Sequence, residues 1–126
     1  MSVRETVLAL YDAYGARDFE RTKSFVSDDF CWDVPIKAGN APYGQRCLGP
    51  DAMMQRMKDL DTAFHYLDVQ PKEFLVDGDQ AAVRVTFTLQ SKSGGEPFDV
   101  DCCHFWHVSG GKCTKVTEVY DTGLMP

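Results

Sequence analysis

Apolar and polar positions change period along this chain. The first half repeats at helical spacing and the second half alternates with period two. Ser2-Val-Arg-Glu5 is a capping box, and Val3, Val7, Leu10, Tyr11 and Tyr14 follow as one helical face ending at Gly15. Asp18 opens a short second helix carrying Phe19, Thr22, Phe25 and Val26. Asp28-Asp29 leads into a short strand, Phe30 to Val34, stopped by Pro35. Residues 36 to 49 read as a loop rich in glycine and proline. Pro50 then starts a third helix with Met53, Met57, Leu60 and Phe64 on one face.

Strands dominate the remainder. His65 to Val76 predicts a strand bulged near Pro71, and Asp77-Gly78-Asp79 a hairpin turn. From Ala81 to Leu89, Val83, Val85, Phe87 and Leu89 point inward, and Arg84, Thr86 and Thr88 outward. A final hairpin runs from Asp101 to Tyr120 around Gly110-Gly111. Regular alternation sets Val108 against Cys113, Phe105 against Val116, Cys103 against Glu118 and Asp101 against Tyr120. One face then carries Asp101, Cys103, Phe105, His107, Thr114, Val116, Glu118 and Tyr120. The other carries Val100, Cys102, His104, Trp106, Val108, Cys113, Lys115, Thr117 and Val119. Helices followed by strands make an α+β fold, and the length fits one domain over residues 1–126.

Charge narrows the partners. A net charge of −6 excludes the basic surface that nucleic acid and anionic membrane reward. The apolar runs are too short to span a bilayer, and Met-Ser-Val-Arg-Glu shows no signal-peptide segment. Five cysteines, Cys31, Cys47, Cys102, Cys103 and Cys113, form no CxxC and no metal-ligand spacing with histidine. They read as reduced thiols of a cytoplasmic protein, with no metal and no cofactor expected.

Five stretches, in order, carry a family resemblance: Leu10-Tyr-Asp-Ala-Tyr-Gly-Ala-Arg-Asp18, Phe25 to Pro35, Gly49-Pro-Asp-Ala52, Val76 to Val83, and Tyr120-Asp-Thr-Gly-Leu124. Together they resemble the nuclear transport factor 2-like superfamily, and within it the SnoaL-like and ketosteroid-isomerase-like proteins. The resemblance implies a cone-shaped, curved antiparallel sheet wrapped around about three N-terminal helices (a cystatin-like roll) enclosing an apolar cavity. It also implies a homodimer packed sheet on sheet, here through the face with Cys102, His104 and Trp106. Isomerase catalytic positions fall on Val34, Leu10 and Cys103, so that activity is not expected. The Asp-Arg-Asp set of limonene-epoxide-hydrolase-like enzymes has no match either, since Arg84 points outward.

What remains is acid/base chemistry on a small, largely apolar carbonyl-type ligand, of isomerase, cyclase or dehydratase type. Apolar walls around Glu118 are expected to raise its pKa toward neutrality, which suits a general acid or base, and Tyr120 suits an oxyanion donor. His107 suits a proton shuttle and Asp101 an orienting group for Tyr120. The expected pocket wall is Tyr14, Trp32, Val34, Met57, Val85, Phe87, Cys103, Phe105 and Val116. The alternative is a non-catalytic ligand-binding or dimerisation module with the same cavity.

Overall fold

The computed structural model describes residues 1–35 and 43–121. Two helices, α1 (Val3–Gly15) and α2 (Phe19–Lys23), precede strands β1 (Val26–Val34) and β2 (Gln45–Leu48). Helix α3 (Pro50–Ala63) follows, and then β3 (Phe64–Asp77), β4 (Gln80–Ser91), β5 (Phe98–Ser109) and β6 (Lys112–Tyr120). The strands form one curved, unclosed sheet in the order β2-β1-β6-β5-β4-β3. The helices lie in its concavity, giving an α+β cone.

Local chemistry starts each helix. The Ser2 hydroxyl accepts from the Glu5 N–H at 3.1 Å, and Glu5 accepts from the Ser2 N–H at 3.0 Å. That closes the capping box and turns Val7, Leu10, Tyr11 and Tyr14 toward the sheet. Asp18 caps α2 through the Arg21 N–H. Pro50 sits in the first turn of α3, where its missing N–H costs nothing, and Met53, Met57 and Leu60 are buried. Val83, Val85, Phe87 and Leu89 of β4 are buried in the same core.

The sheet differs from expectation in three ways. First, β1 and β6 run parallel, so the sheet is mixed and not purely antiparallel. Second, part of the loop expected over residues 36 to 49 is strand: Gln45–Leu48 pairs antiparallel with β1. The neighbouring glycines and Pro42 mask this four-residue segment, and residues 36–42 of that loop lie outside the described ones. Third, α2 ends at Lys23, and Val26, expected on that helix, begins β1. The bulge anticipated near Pro71 is present, with a second between Tyr66 and Asp68.

The final hairpin turns through Gly110 and Gly111, both with positive φ (59° and 77°), the conformation a tight two-residue turn needs. Val108 pairs with Cys113 as expected, but His107 then pairs with Lys115. Thr114 is the extra residue of a β-bulge, its hydroxyl donating to the His107 carbonyl at 3.3 Å. One added residue reverses the facing of one strand relative to its partner. Trp106 therefore stands opposite Val116, His104 opposite Glu118 and Cys102 opposite Tyr120.

Candidate functional site

The bulge decides which side chains meet inside the cone. Cys102, His104, Trp106 and Val108 of β5 face the helices together with Cys113, Val116 and Glu118 of β6. The face expected to meet a second subunit through Cys102, His104 and Trp106 is thus the inner face. Asp101, Cys103, Phe105 and His107 take the outer one.

A buried hydrogen-bonded chain crosses this interior. His104 Nε2 lies 2.5 Å from Glu118 Oε2, and Tyr11 Oη lies 2.6 Å from His104 Nδ1. Trp106 Nε1–H donates to Tyr11 Oη at 2.9 Å, and Trp32 Nε1–H donates to Glu118 Oε1 at 3.3 Å. The Tyr11 ring stacks on the His104 ring, with 5.7 Å between centroids and 10° between planes. His104 is 6% exposed and Glu118 9%, so neither polar group is served by bulk water.

One proton assignment satisfies every member of the chain. Trp106 donates to Tyr11, Tyr11 donates to Nδ1, and the Nε2 proton of a neutral His104 goes to an ionised Glu118. Burial by itself pushes the Glu118 carboxyl up. The His104 Nε2–H and the Trp32 N–H donated to its oxygens, with the Arg56 charge nearby, outweigh burial and hold it below the ordinary carboxylate value, opposite to the rise that apolar walls alone would give. His104 and Trp32 use two of the roughly four lone-pair sites of the carboxylate.

Two small voids meet at Glu118. One, of about 60 Å³, is lined by Leu10, Tyr14, Trp32, Met57, Phe87 and Val116 among others, with His104 and Glu118 at its polar end. Its neighbour, of about 40 Å³, is bordered by Tyr43, Tyr66, Tyr120, Cys102 and again Glu118. The Tyr14 hydroxyl donates to the Tyr66 hydroxyl at 3.1 Å. Burial raises the Tyr66 phenol well above its ordinary value, raises Tyr14 and brings Tyr120 to about 12. These hydroxyls therefore stay protonated at neutral pH and act as donors. Arg17, held at a positive φ of 58°, lays its guanidinium 3.9 Å from the centre of the Tyr66 ring and pairs with Asp61 at 2.9 Å. That contact fixes Tyr66 from behind.

The residues singled out in the sequence divide between the two sides of the sheet. Glu118 and Tyr120 border the voids, as do Tyr14, Trp32, Met57, Phe87 and Val116. Val34 and Val85 are fully buried in the core without lining either void. Asp101 is on the outer surface, accepting from Thr86 at 2.9 Å and from Arg84 at 3.2 Å, and cannot orient Tyr120. His107 lies on the same outer face and is no shuttle for Glu118. Cys103 and Phe105 also point out, Phe105 being 49% exposed, so neither is pocket wall.

Of the three isomerase positions, Leu10 lines the larger void, Val34 is core and Cys103 faces away. Tyr11, His104, Trp106 and Tyr66 complete the site without having been singled out for it. The fold also unites Cys102, His104 and Glu118, although their sequence spacing gave no sign of ligand clustering.

A cone with a buried acid/base pair at the meeting point of two voids defines the class. The chain belongs to the SnoaL-like domain family, whose profile matches residues 7–116. Similar solved structures include an NTF2-like protein of unknown function from Burkholderia pseudomallei. It is 22% identical, with a TM-score of 0.89 over 99% of this chain and 95% of that one. TerC, co-crystallised with polyporic acid, is 27% identical, with a TM-score of 0.86 over 96% of this chain and 92% of its own. An LEH-like epoxide hydrolase from M. tuberculosis shares the fold at 17% identity and a TM-score of 0.78, covering 98% and 85%. No curated protein matches the chain. No helix among the described residues is long and apolar enough to cross a membrane.

Proposed function

We propose that this SnoaL-like domain is an acid/base enzyme of isomerase, cyclase or dehydratase type acting on a small, largely apolar carbonyl-type compound, with Glu118 as the base. One observation carries it. Glu118 is a buried carboxylate kept ionised by His104 and Trp32, and it faces both an apolar void and a tyrosine-lined one. Held below the ordinary carboxylate value, Glu118 is ionised at neutral pH and free to accept a proton, as a weaker base than an isolated buried carboxylate. The apolar body of a substrate fits against Phe87 and Met57. Its oxygen is served by the Tyr120 and Tyr66 hydroxyls, which stabilise the charge that develops when a neighbouring C–H is deprotonated. His104 holds the carboxylate in place through Nε2–H. The step draws on protein groups only.

The voids are small, so a ligand of more than a few heavy atoms enters by moving Met53 and Met57, unbranched side chains that repack readily. Support for a binding role comes from TerC, a relative of the same fold crystallised with polyporic acid. A screen of carbonyl compounds, polyporic acid included, by thermal unfolding of wild type and Glu118→Gln tests the assignment. Ligand at about a hundred times its Kd adds roughly 2.7 kcal/mol. Expected is stabilisation of both proteins and product, read by mass spectrometry, from wild type alone. Product from both proteins would reject Glu118 as the base.

We propose also that the outer sheet face joins two copies of the chain. Leu75, Ala82 and Phe105 fall in register across β3, β4 and β5, and Leu75 is 73% exposed. All five cysteines are unpaired, which suits the reducing cytoplasm.

A further inference from the structure

Three donor atoms of different chemistry converge where the two voids meet. Cys102 Sγ, a His104 ring nitrogen and a Glu118 carboxylate oxygen lie within 4.8 Å of one another, all three residues are buried, and Nε2 is the nitrogen facing Glu118. Cys102 and His104 are two apart on β5 and project from one face, and Glu118 stands directly across the ladder from His104. We propose that Cys102, His104 and Glu118 form a three-donor site for a borderline-soft divalent cation of the zinc class.

Thiolate, imidazole and carboxylate are the donors such an ion takes, at about 2.0–2.3 Å, and sites with three protein ligands keep a fourth position open. Glu118 borders both voids, His104 the larger and Cys102 the smaller, so the open position faces the pocket. Tyr11 holds the far nitrogen of His104, the contact that orients a ligating imidazole. At 2.5 Å, Nε2 and Oε2 are closer than two ligands on one tetrahedral ion, so their hydrogen bond opens by roughly 1 Å as the cation enters.

Protons and charge balance. The Cys102 thiol proton leaves to solvent, and the ring proton of His104 moves from Nε2 to Nδ1, so the imidazole remains neutral. Tyr11 then accepts from Nδ1–H and from Trp106, and its own hydrogen turns into the larger void, which it lines. Nothing is oxidised or reduced. Thiolate and carboxylate together neutralise the dication, whereas the free site with neutral His104 buries the Glu118 charge alone. The cation site stands on donor positions and does not depend on the acid/base role of Glu118. Since Glu118 serves both, cation binding and proton transfer at this carboxylate exclude one another.

Cobalt(II) titration of the reduced, metal-free protein tests the site without any substrate. Expected is one equivalent bound, with a sulfur-to-cobalt charge-transfer band and the intense visible bands of tetrahedral cobalt. Cys102→Ser abolishes the charge-transfer band, and Cys103→Ser, on the outer face, leaves it unchanged. No stoichiometric binding by wild type, or a band that survives Cys102→Ser, overturns the proposal. Should Cys102→Ser unfold by circular dichroism, Glu118→Gln decides. An affinity loss of about 10-fold or more supports the site, and unchanged affinity overturns it.

Discussion

His104 and Glu118 face each other across the β5–β6 ladder, with 2.5 Å between Nε2 and Oε2. The pair exists because Thr114 is one residue too many for a regular hairpin. Were the strands regular, the carboxylate would face Cys103 and the imidazole would lie on the opposite side of the sheet. The bulge is thus the structural origin of the site, and the pair's behaviour follows from its burial.

Acid sensitivity is the first consequence. The folded-state Glu118 carboxyl lies below the ordinary value of 4.5 that it regains on unfolding. A depressed carboxyl contributes stability that is fully present above the unfolded value and is lost as pH falls through the folded one. Denaturant unfolding followed from neutral pH into the acid range is expected to show wild type losing stability below about pH 4.5. Glu118→Gln, with nothing to titrate there, is expected to have a flatter profile. Parallel profiles would show that the pair adds nothing to acid sensitivity.

Tyr11→Phe removes one hydroxyl and strands two buried groups, Trp106 Nε1–H and His104 Nδ1. Leaving one buried polar group unpaired costs about 1–3 kcal/mol. Chemical denaturation of the variant is expected to show a loss of about 2–6 kcal/mol for the two groups together. A double-mutant cycle with Trp106→Phe is expected to show strong non-additivity.

The two faces of β5 respond in opposite ways to an introduced charge. Trp106 is 4% exposed, and Trp106→Glu buries an unpaired carboxylate, so an unfolded protein is expected by circular dichroism. Phe105→Glu alters an outer position, and its spectrum is expected to match wild type. In light scattering, Phe105→Glu is expected to run at half the wild-type mass; equal masses would remove this face as the dimer contact.

Most of the fold was legible because its signals are short-ranged. The capping box at Ser2 and Glu5, the helical stripe from Val7 to Tyr14 and the alternation from Val83 to Leu89 each depend on a few neighbouring residues. The pocket side of β6 was legible for the same reason, with Val116, Glu118 and Tyr120 inward. The inner face of β5 was not. A single bulge residue reverses the facing of β5 relative to β6, and Thr114 in Cys-Thr-Lys-Val carries no mark that distinguishes it from an ordinary strand residue. Regular alternation consequently places His104, Trp106 and Cys102 outward, and Asp101 and His107 inward, the reverse of what the structure shows. Tyr11 and Tyr66 were hidden differently: each looks like a packing aromatic until its hydroxyl is seen against a partner from a distant element. Strand β2 was obscured by the glycines and proline around it.

The most direct test of the central claim is deuterium uptake. The carbonyl compound that most stabilises the protein is incubated in D2O with wild type or Glu118→Gln, and label at the carbon beside the carbonyl is followed by mass spectrometry. Expected is incorporation with wild type and loss of it with Glu118→Gln, while thermal unfolding shows the variant folded and still stabilised by the compound. Equal incorporation with both proteins would contradict Glu118 as the proton-transferring group.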